Sequence, residues 1–156
     1  MSKKLNIALV GCGNWGKNIA RNLHEMGYLA CIYDLNEKLS EKLNDDYNLP
    51  TFELNKIIED KNINAIVIAS PAITHKDLAV QALKNDKDVF IEKPFCLSLH
   101  DAKTISELAT NRDRVLMIGH LLNYHNAFIK MKELLQKEKI GILQNIRANR
   151  LAFGAI

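Results

Sequence analysis

Gly11, Gly13 and Gly16 stand in the run GCGNWG with the spacing G-x-G-x-x-G. That spacing suits a dinucleotide when a strand precedes it and a helix follows. LNIALVG, just before, is a continuous apolar run. NWGKNIARNLHEMG, just after, carries Ile19, Ala20 and Leu23 at helical spacing and stops at Gly27. The first glycine permits a tight turn, Gly13 lets the backbone approach a pyrophosphate, and Gly16 allows close helix–strand packing. The loop also carries Asn14 and Trp15, and the helix start offers unpaired N–H groups and partial positive charge to phosphates. Asp34 ends the next apolar run, LACIYD. A carboxylate there can accept both ribose hydroxyls of an adenosine and would repel a 2′-phosphate, which favours NAD over NADP. The alternative for Asp34 is a plain helix cap. S-adenosylmethionine methyltransferases share a glycine loop and a following acid, but their loop usually reads G-x-G-x-G.

Further titratable groups follow the later apolar runs. ASPAITH contributes Ser70, Pro71 and His75; DVFIEKPF contributes Glu92, Lys93 and Pro94; GHLLNYH contributes His120, Asn123, Tyr124 and His125. In open α/β sheets, ligands bind beyond the carboxyl ends of the strands, where the strand order reverses. Each residue has a bland alternative. His75 can be a surface residue, Glu92–Lys93 an exposed ion pair, Pro94 a strand terminator, and His120 a satisfied core histidine. Convergence of independent segments on one sheet edge supports the functional reading.

Those residues need a scaffold, and the chain alternates strand and helix patterns with short connections. INAIVIAS, DVFIE and RVLMIGH read as further strands, and TFEL reads as a short strand or loop. Asn36, Thr74 and Ser98 are placed to cap helices, and NAFIKMKELLQKEKIG is an amphipathic helix ending at Gly141. The expected fold is a doubly wound, parallel α/β (Rossmann) sheet over residues 1–122, because parallel neighbours need crossover helices that cover both faces. Residues 123–156 form a crossover helix and then ILQNIRANRLAFGAI, read as the first strand of an otherwise missing α+β domain.

At 156 residues the chain can bury a sizeable core. Its net charge of +3 lacks a basic stripe, which argues against nucleic acid and membrane surfaces as partners. No apolar run reaches the ~18 residues of a membrane span. Cys12, Cys31 and Cys96 are far apart and show no metal-ligand spacing, so they read as free thiols of a cytoplasmic protein, with no metal expected.

ALVGCGNWGKNIARNL, AIVIASPAITHKDLAVQALKNDKDVFIEKPF and VLMIGHLLNYHNAFIKMKELL together resemble the N-terminal domain of the Gfo/Idh/MocA oxidoreductases. The E-K-P tripeptide after its strand is the most specific part. NWGKN, LNYHNAFIKMKEL and ANRLAFG look most like the nucleotide-sugar branch, which includes enzymes oxidising C3 of a UDP-N-acetylglucosaminuronic acid for surface-polysaccharide synthesis. The resemblance implies hydride transfer between NAD and a sugar hydroxyl. It implies that Lys93 points at the nicotinamide and the reacting hydroxyl, that Glu92 contacts the cofactor, and that Pro94 sits in a kinked turn aiming the lysine. By the same resemblance, Ser70, Pro71 and His75 belong to a cofactor-lining turn. An ammonium there can polarise the oxygen and, where burial lowers its pKa, help move the proton. In the family a second domain supplies an Asp, a His, the sugar pocket and much of the subunit interface. His120 and His125 do not match that catalytic His. The expectation is therefore a cofactor-binding half, inactive alone and able to form a homo-oligomer when complete; the alternative is a non-catalytic dinucleotide-binding or partner-binding module.

Overall fold

A computed structural model describes residues 5–149. The first compact unit, residues 1–119, is built on β1 (Ile7–Val10), β2 (Leu29–Tyr33), β3 (Ala65–Ile68), β4 (Asp88–Ile91) and β5 (Leu116–Ile118). Between them run α1 (Gly16–Glu25), α2 (Glu37–Asp46), α3 (Leu54–Glu59), α4 (His75–Lys84) and α5 (Leu99–Asn111). All neighbouring strands are parallel, in the order β2-β1-β3-β4-β5. The chain winds outward from β1 to β2, then returns across β1 to β3, so the order reverses between β1 and β3.

The apolar runs are continuous because both faces of the sheet are covered, and successive side chains point to opposite faces. Ala8, Val10, Ile66, Ile68, Val89 and Ile91 pack with Ile57 and Ile58 of α3, Ala79, Ala82 and Leu83 of α4, and Ile105 and Ala109 of α5. Leu9, Ile32 and Val67 pack on the other face with Ala20 and Leu23 of α1 and Leu43 of α2. The last residues of the five strands, Tyr33, Val10, Ile68, Ile91 and Ile118, lie in one row across the sheet. The residues that follow them therefore emerge at a common edge.

Several local expectations need correction. Of the two readings of TFEL, strand or loop, Thr51–Glu53 takes the loop. The outer edge of β2 is closed by Asn44 of α2, fully buried, whose Oδ1 accepts from the Ile32 N–H at 3.1 Å and whose Nδ2 donates to the Ile32 carbonyl at 3.0 Å. A side-chain amide has taken the place of a sixth strand. Ser98 caps α5 as expected, accepting from the Asp101 N–H at 3.1 Å, and Gly27 follows α1 with φ of 75°. Asn36 and Thr74 hold cap positions without capping through their side chains. The Thr74 hydroxyl binds the Pro71 carbonyl and the Ser70 hydroxyl instead, holding the turn before α4.

The second compact unit, residues 120–156, begins three positions before the expected 122/123 boundary. It contains a 3-10 turn at Leu121–Tyr124 and α6 (Asn126–Gln136), which stops before Gly141 because a turn intervenes at 137–140. Residues 142–149 are not paired as a strand, since no partner strand is present among the described residues; the rest of that expected strand lies outside them. Among the described residues no helix is long and apolar enough to cross a membrane.

Candidate functional site

The glycine loop leaves β1 under tight steric control. Gly11 has φ of 104°, and a Cβ there would stand 2.5 Å from the Ala69 carbonyl carbon and the Ser70 nitrogen. A Cβ on Gly16 would collide with the Gly11 carbonyl, which is how α1 closes on β1. Gly13 differs: nothing lies within 4 Å of its would-be Cβ, so this face of the loop is open to a ligand. The N–H groups of Asn14, Trp15 and Gly16 find no backbone acceptor among the described residues. They are the orphan donors of a helix start and suit a pyrophosphate.

Asp34 emerges beside the loop. Its Oδ2 accepts from the Cys12 N–H at 2.6 Å and its Oδ1 from the Asn36 N–H at 2.9 Å. Each carboxylate oxygen retains a lone pair for a ribose hydroxyl. A cleft of about 550 Å³ opens at the switch between β1 and β3, lined by Gly11, Tyr33, Asp34, Leu35, Ser70, Pro71, Ile73, Asp77 and Leu78 among others. Among the described residues no Lys or Arg lines it, which leaves a 2′-phosphate without a counter-charge from them. Glycine loop, acid and cleft fit an adenine dinucleotide without a 2′-phosphate.

The cysteines add nothing reactive here. Burial, with Asp34 adding to it, pushes the Cys12 thiol from 9.0 up to about 12. Burial, with Asp60 adding to it, pushes Cys31 up to about 12 as well. All three cysteines are free.

Beyond β3 and β4 the structure gives three candidate residues their surroundings. Glu92 is 6 % exposed and turned into the protein. Its Oε1 accepts from the Trp15 indole N–H at 2.7 Å, its Oε2 accepts from the Lys93 N–H at 3.2 Å, and Gly119 lies beneath, where a Cβ would come within 2.9 Å of the carboxylate. It forms no exposed ion pair with Lys93 and is tied instead to the glycine loop through Trp15. His75 is 1 % exposed, with Nδ1 2.9 Å from the Pro94 carbonyl and Nε2 2.9 Å from the Ser70 carbonyl. Its ring is buried and packs against the Ser70–Pro71 turn, so it is no surface residue. Lys93 is exposed at the turn after β4. The Lys93–Pro94 peptide is cis.

Gly11, Gly13, Asn14, Trp15, Gly16, Asp34, Ser70, Pro71, Glu92, Lys93 and Pro94 thus gather at the one strand-end row, with Gly11, Asp34, Ser70 and Pro71 in the cleft wall. His120, Asn123, Tyr124 and His125 fall in the second unit, where His125 caps α6 by accepting from the Ala127 N–H. Sequence reasoning missed Leu35, Ile73 and Asp77 in the cleft, whose position is a tertiary fact. It also missed Gly119, for which a glycine directly after a strand was the available signal.

The pattern of the Gfo/Idh/MocA oxidoreductase family, described as having an NAD-binding Rossmann fold, matches residues 5–120. The chain belongs to this family. As in the family, the cofactor is NAD. The chain is 27 % identical over 150 residues to a 2,7-anhydro-N-acetylneuraminate hydratase of Escherichia coli K12, covering 94 % of this chain and 40 % of that protein. It is 31 % identical over 145 residues to a myo-inositol 2-dehydrogenase of Thermotoga maritima, covering 88 % and 42 %. Among solved structures, a UDP-N-acetylglucosamine 3-dehydrogenase from Acidithiobacillus ferrooxidans superposes with a TM-score of 0.78 at 25 % identity, covering 83 % of this chain and 42 % of that one. The chain spans less than half the length of these oxidoreductase-family relatives.

Proposed function

We propose that the chain is the cofactor-binding part of an NAD-dependent dehydrogenase acting on a sugar hydroxyl, with a UDP-sugar as the substrate class. The observation that carries this is the cleft itself: Asp34 at its wall, no cation lining it among the described residues, and the glycine loop with its open Gly13 beside it. NAD bound there supplies a hydride acceptor, and the carbon chemistry is the cofactor's. The chain's own residues do the rest. The N–H groups of the glycine loop hold the pyrophosphate, Asp34 accepts the ribose hydroxyls, and the exposed Lys93 ammonium donates a hydrogen bond from Nζ to the substrate oxygen and polarises it. The nucleotide-sugar class is supported by the likeness to the Acidithiobacillus enzyme. A cyclic polyol is the second reading, favoured by the 31 % identity to the Thermotoga inositol dehydrogenase.

The test is a titration with NADH and with NADPH, followed by the emission of Trp15, the single tryptophan. Saturable quenching by NADH with much weaker quenching by NADPH is expected, and Asp34→Ala should erase that preference. Equal binding of both nucleotides by the unmutated chain would defeat the reading of Asp34. Oxidation of UDP-sugars against inositols by the complete protein then separates the two substrate classes.

A further inference from the structure

We propose that His75 is a positioning residue whose buried imidazole struts the turn after β3 against the turn after β4, and so fixes where Lys93 stands. What Lys93 does there rests on the dehydrogenase reading; the strut itself does not. The ring opens α4 and is sealed from solvent. Both nitrogens are used, and both face backbone carbonyls, Ser70 at one end and Pro94 at the other, each at 2.9 Å. A carbonyl only accepts, so the imidazole must be the donor: a neutral ring donates to one carbonyl, a doubly protonated ring to both. The two nitrogens are fixed within one planar ring. The spacing between the two turns is therefore set by covalent geometry rather than by a rotatable side chain.

The placement of the two anchors is what gives the strut a function. Pro94 follows Lys93 directly, and Glu92 precedes it. Glu92 is itself held by the Trp15 indole, by its own backbone N–H to the Ile68 carbonyl at 2.9 Å, and by the slot over Gly119. Lys93 is thus tied on both flanks, through Trp15 to the glycine loop and through His75 to the cleft wall at Ser70. Its own side chain forms no ion pair among the described residues. A pinned backbone under an uncommitted ammonium is the arrangement that holds a reacting group to a set geometry.

The experiment compares His75→Phe, which keeps the ring shape and removes both nitrogens, with His75→Gln, which keeps one donor. Amide hydrogen exchange is read along the chain without ligand, and ADP-ribose and NADH affinities are measured by calorimetry. In the Phe variant, exchange should rise about tenfold at 70–74 and 92–97, as expected for losing one ordinary hydrogen bond, with β1 and β2 unchanged. ADP-ribose affinity should hold within about twofold while NADH affinity falls several-fold, because only the nicotinamide side depends on the Lys93 turn. The Gln variant should recover part of both effects. If the Phe variant does not fold, the Gln variant reads the same quantities at smaller amplitude. Unchanged exchange at 92–97 would overturn the proposal. So would a uniform rise in exchange with equal loss of both ligands, which is the signature of a purely structural histidine. If the unmutated chain shows no NADH binding while the local exchange pattern holds, the dehydrogenase reading falls and the strut stands.

Discussion

Gly11→Ala and Gly13→Ala form a matched pair with opposite expected consequences. Gly11 sits at φ of 104°, and its added methyl would stand 2.5 Å from backbone atoms of Ala69 and Ser70. Backbone cannot swing aside as a side chain does, so the turns after β1 and β3 must separate. The left-handed backbone costs an alanine roughly 1–2 kcal/mol, and overpacking adds about 1–3 kcal/mol. Together they predict a loss of roughly 2–5 kcal/mol, a large share of the 5–15 kcal/mol typical of a domain. With a urea slope near 2 kcal/mol/M, the midpoint should drop by about 1–2.5 M. Gly13 meets nothing within 4 Å and its φ is not left-handed. Its alanine variant should unfold within about 0.5 kcal/mol of the parent, yet lose at least tenfold in NADH affinity, because the methyl fills the face open to the pyrophosphate. Urea unfolding followed by far-ultraviolet circular dichroism, with NADH calorimetry alongside, measures both quantities. If Gly13→Ala destabilises as much as Gly11→Ala, or binds NADH as tightly as the parent, the division between turn glycine and ligand glycine is mistaken.

Two further perturbations test other parts of the frame. Asn44→Leu leaves the buried N–H and carbonyl of Ile32 unpaired and should cost about 2–5 kcal/mol in urea unfolding; a loss under about 1 kcal/mol would mean that the amide does not close the β2 edge. Cys12 and Cys31, raised to about 12, keep their protons in the folded state over a range where the unfolded chain releases them. Stability should therefore be complete below pH 9 and decline as pH rises from there towards 12. Thiol labelling at pH 8 should find Cys96 first and reach the other two only on unfolding; rapid native labelling of all three would contradict their burial.

The residues that announce themselves in the sequence are those whose signal is local. Val10 and Ile68 belong to unbroken apolar runs because the sheet is covered on both faces, and Gly27 and Ser98 mark helix ends through chemistry contained within a few positions. The glycine spacing and Asp34 were legible for the same reason. What escaped depends on distant pairings. Asn44 reads as one more polar residue in NDDYN, yet its amide replaces a strand. Lys87 reads as a surface cation in KNDKD. It is 4 % exposed, with Nζ donating to the carbonyls of Asp60 and Ile63 at 2.6 and 2.9 Å, and burial lowers its pKa. The partners of Glu92 and His75 are hidden for the same reason: Trp15 meets Glu92, and Pro94 meets His75, only through the fold.

The shared row in which all five strands end constrains how such a chain can change over evolutionary time or in an engineer's hands. Adding or removing one residue inside any strand would slide its terminal residue out of the row and invert which face each side chain meets. Asp34, Ala69, Glu92 and Gly119 would each be displaced relative to their neighbours by such a slip. The connections entering the strands at the opposite end of the sheet carry no such bookkeeping. Insertions should accumulate there, for example between α5 and β5, while the strands keep fixed lengths; the α3–β3 connection, pinned by buried Lys87, is the exception. A library of single-residue insertions selected for nucleotide binding would show this as a tolerant band before each strand except β3 and none at the turns that leave the strands.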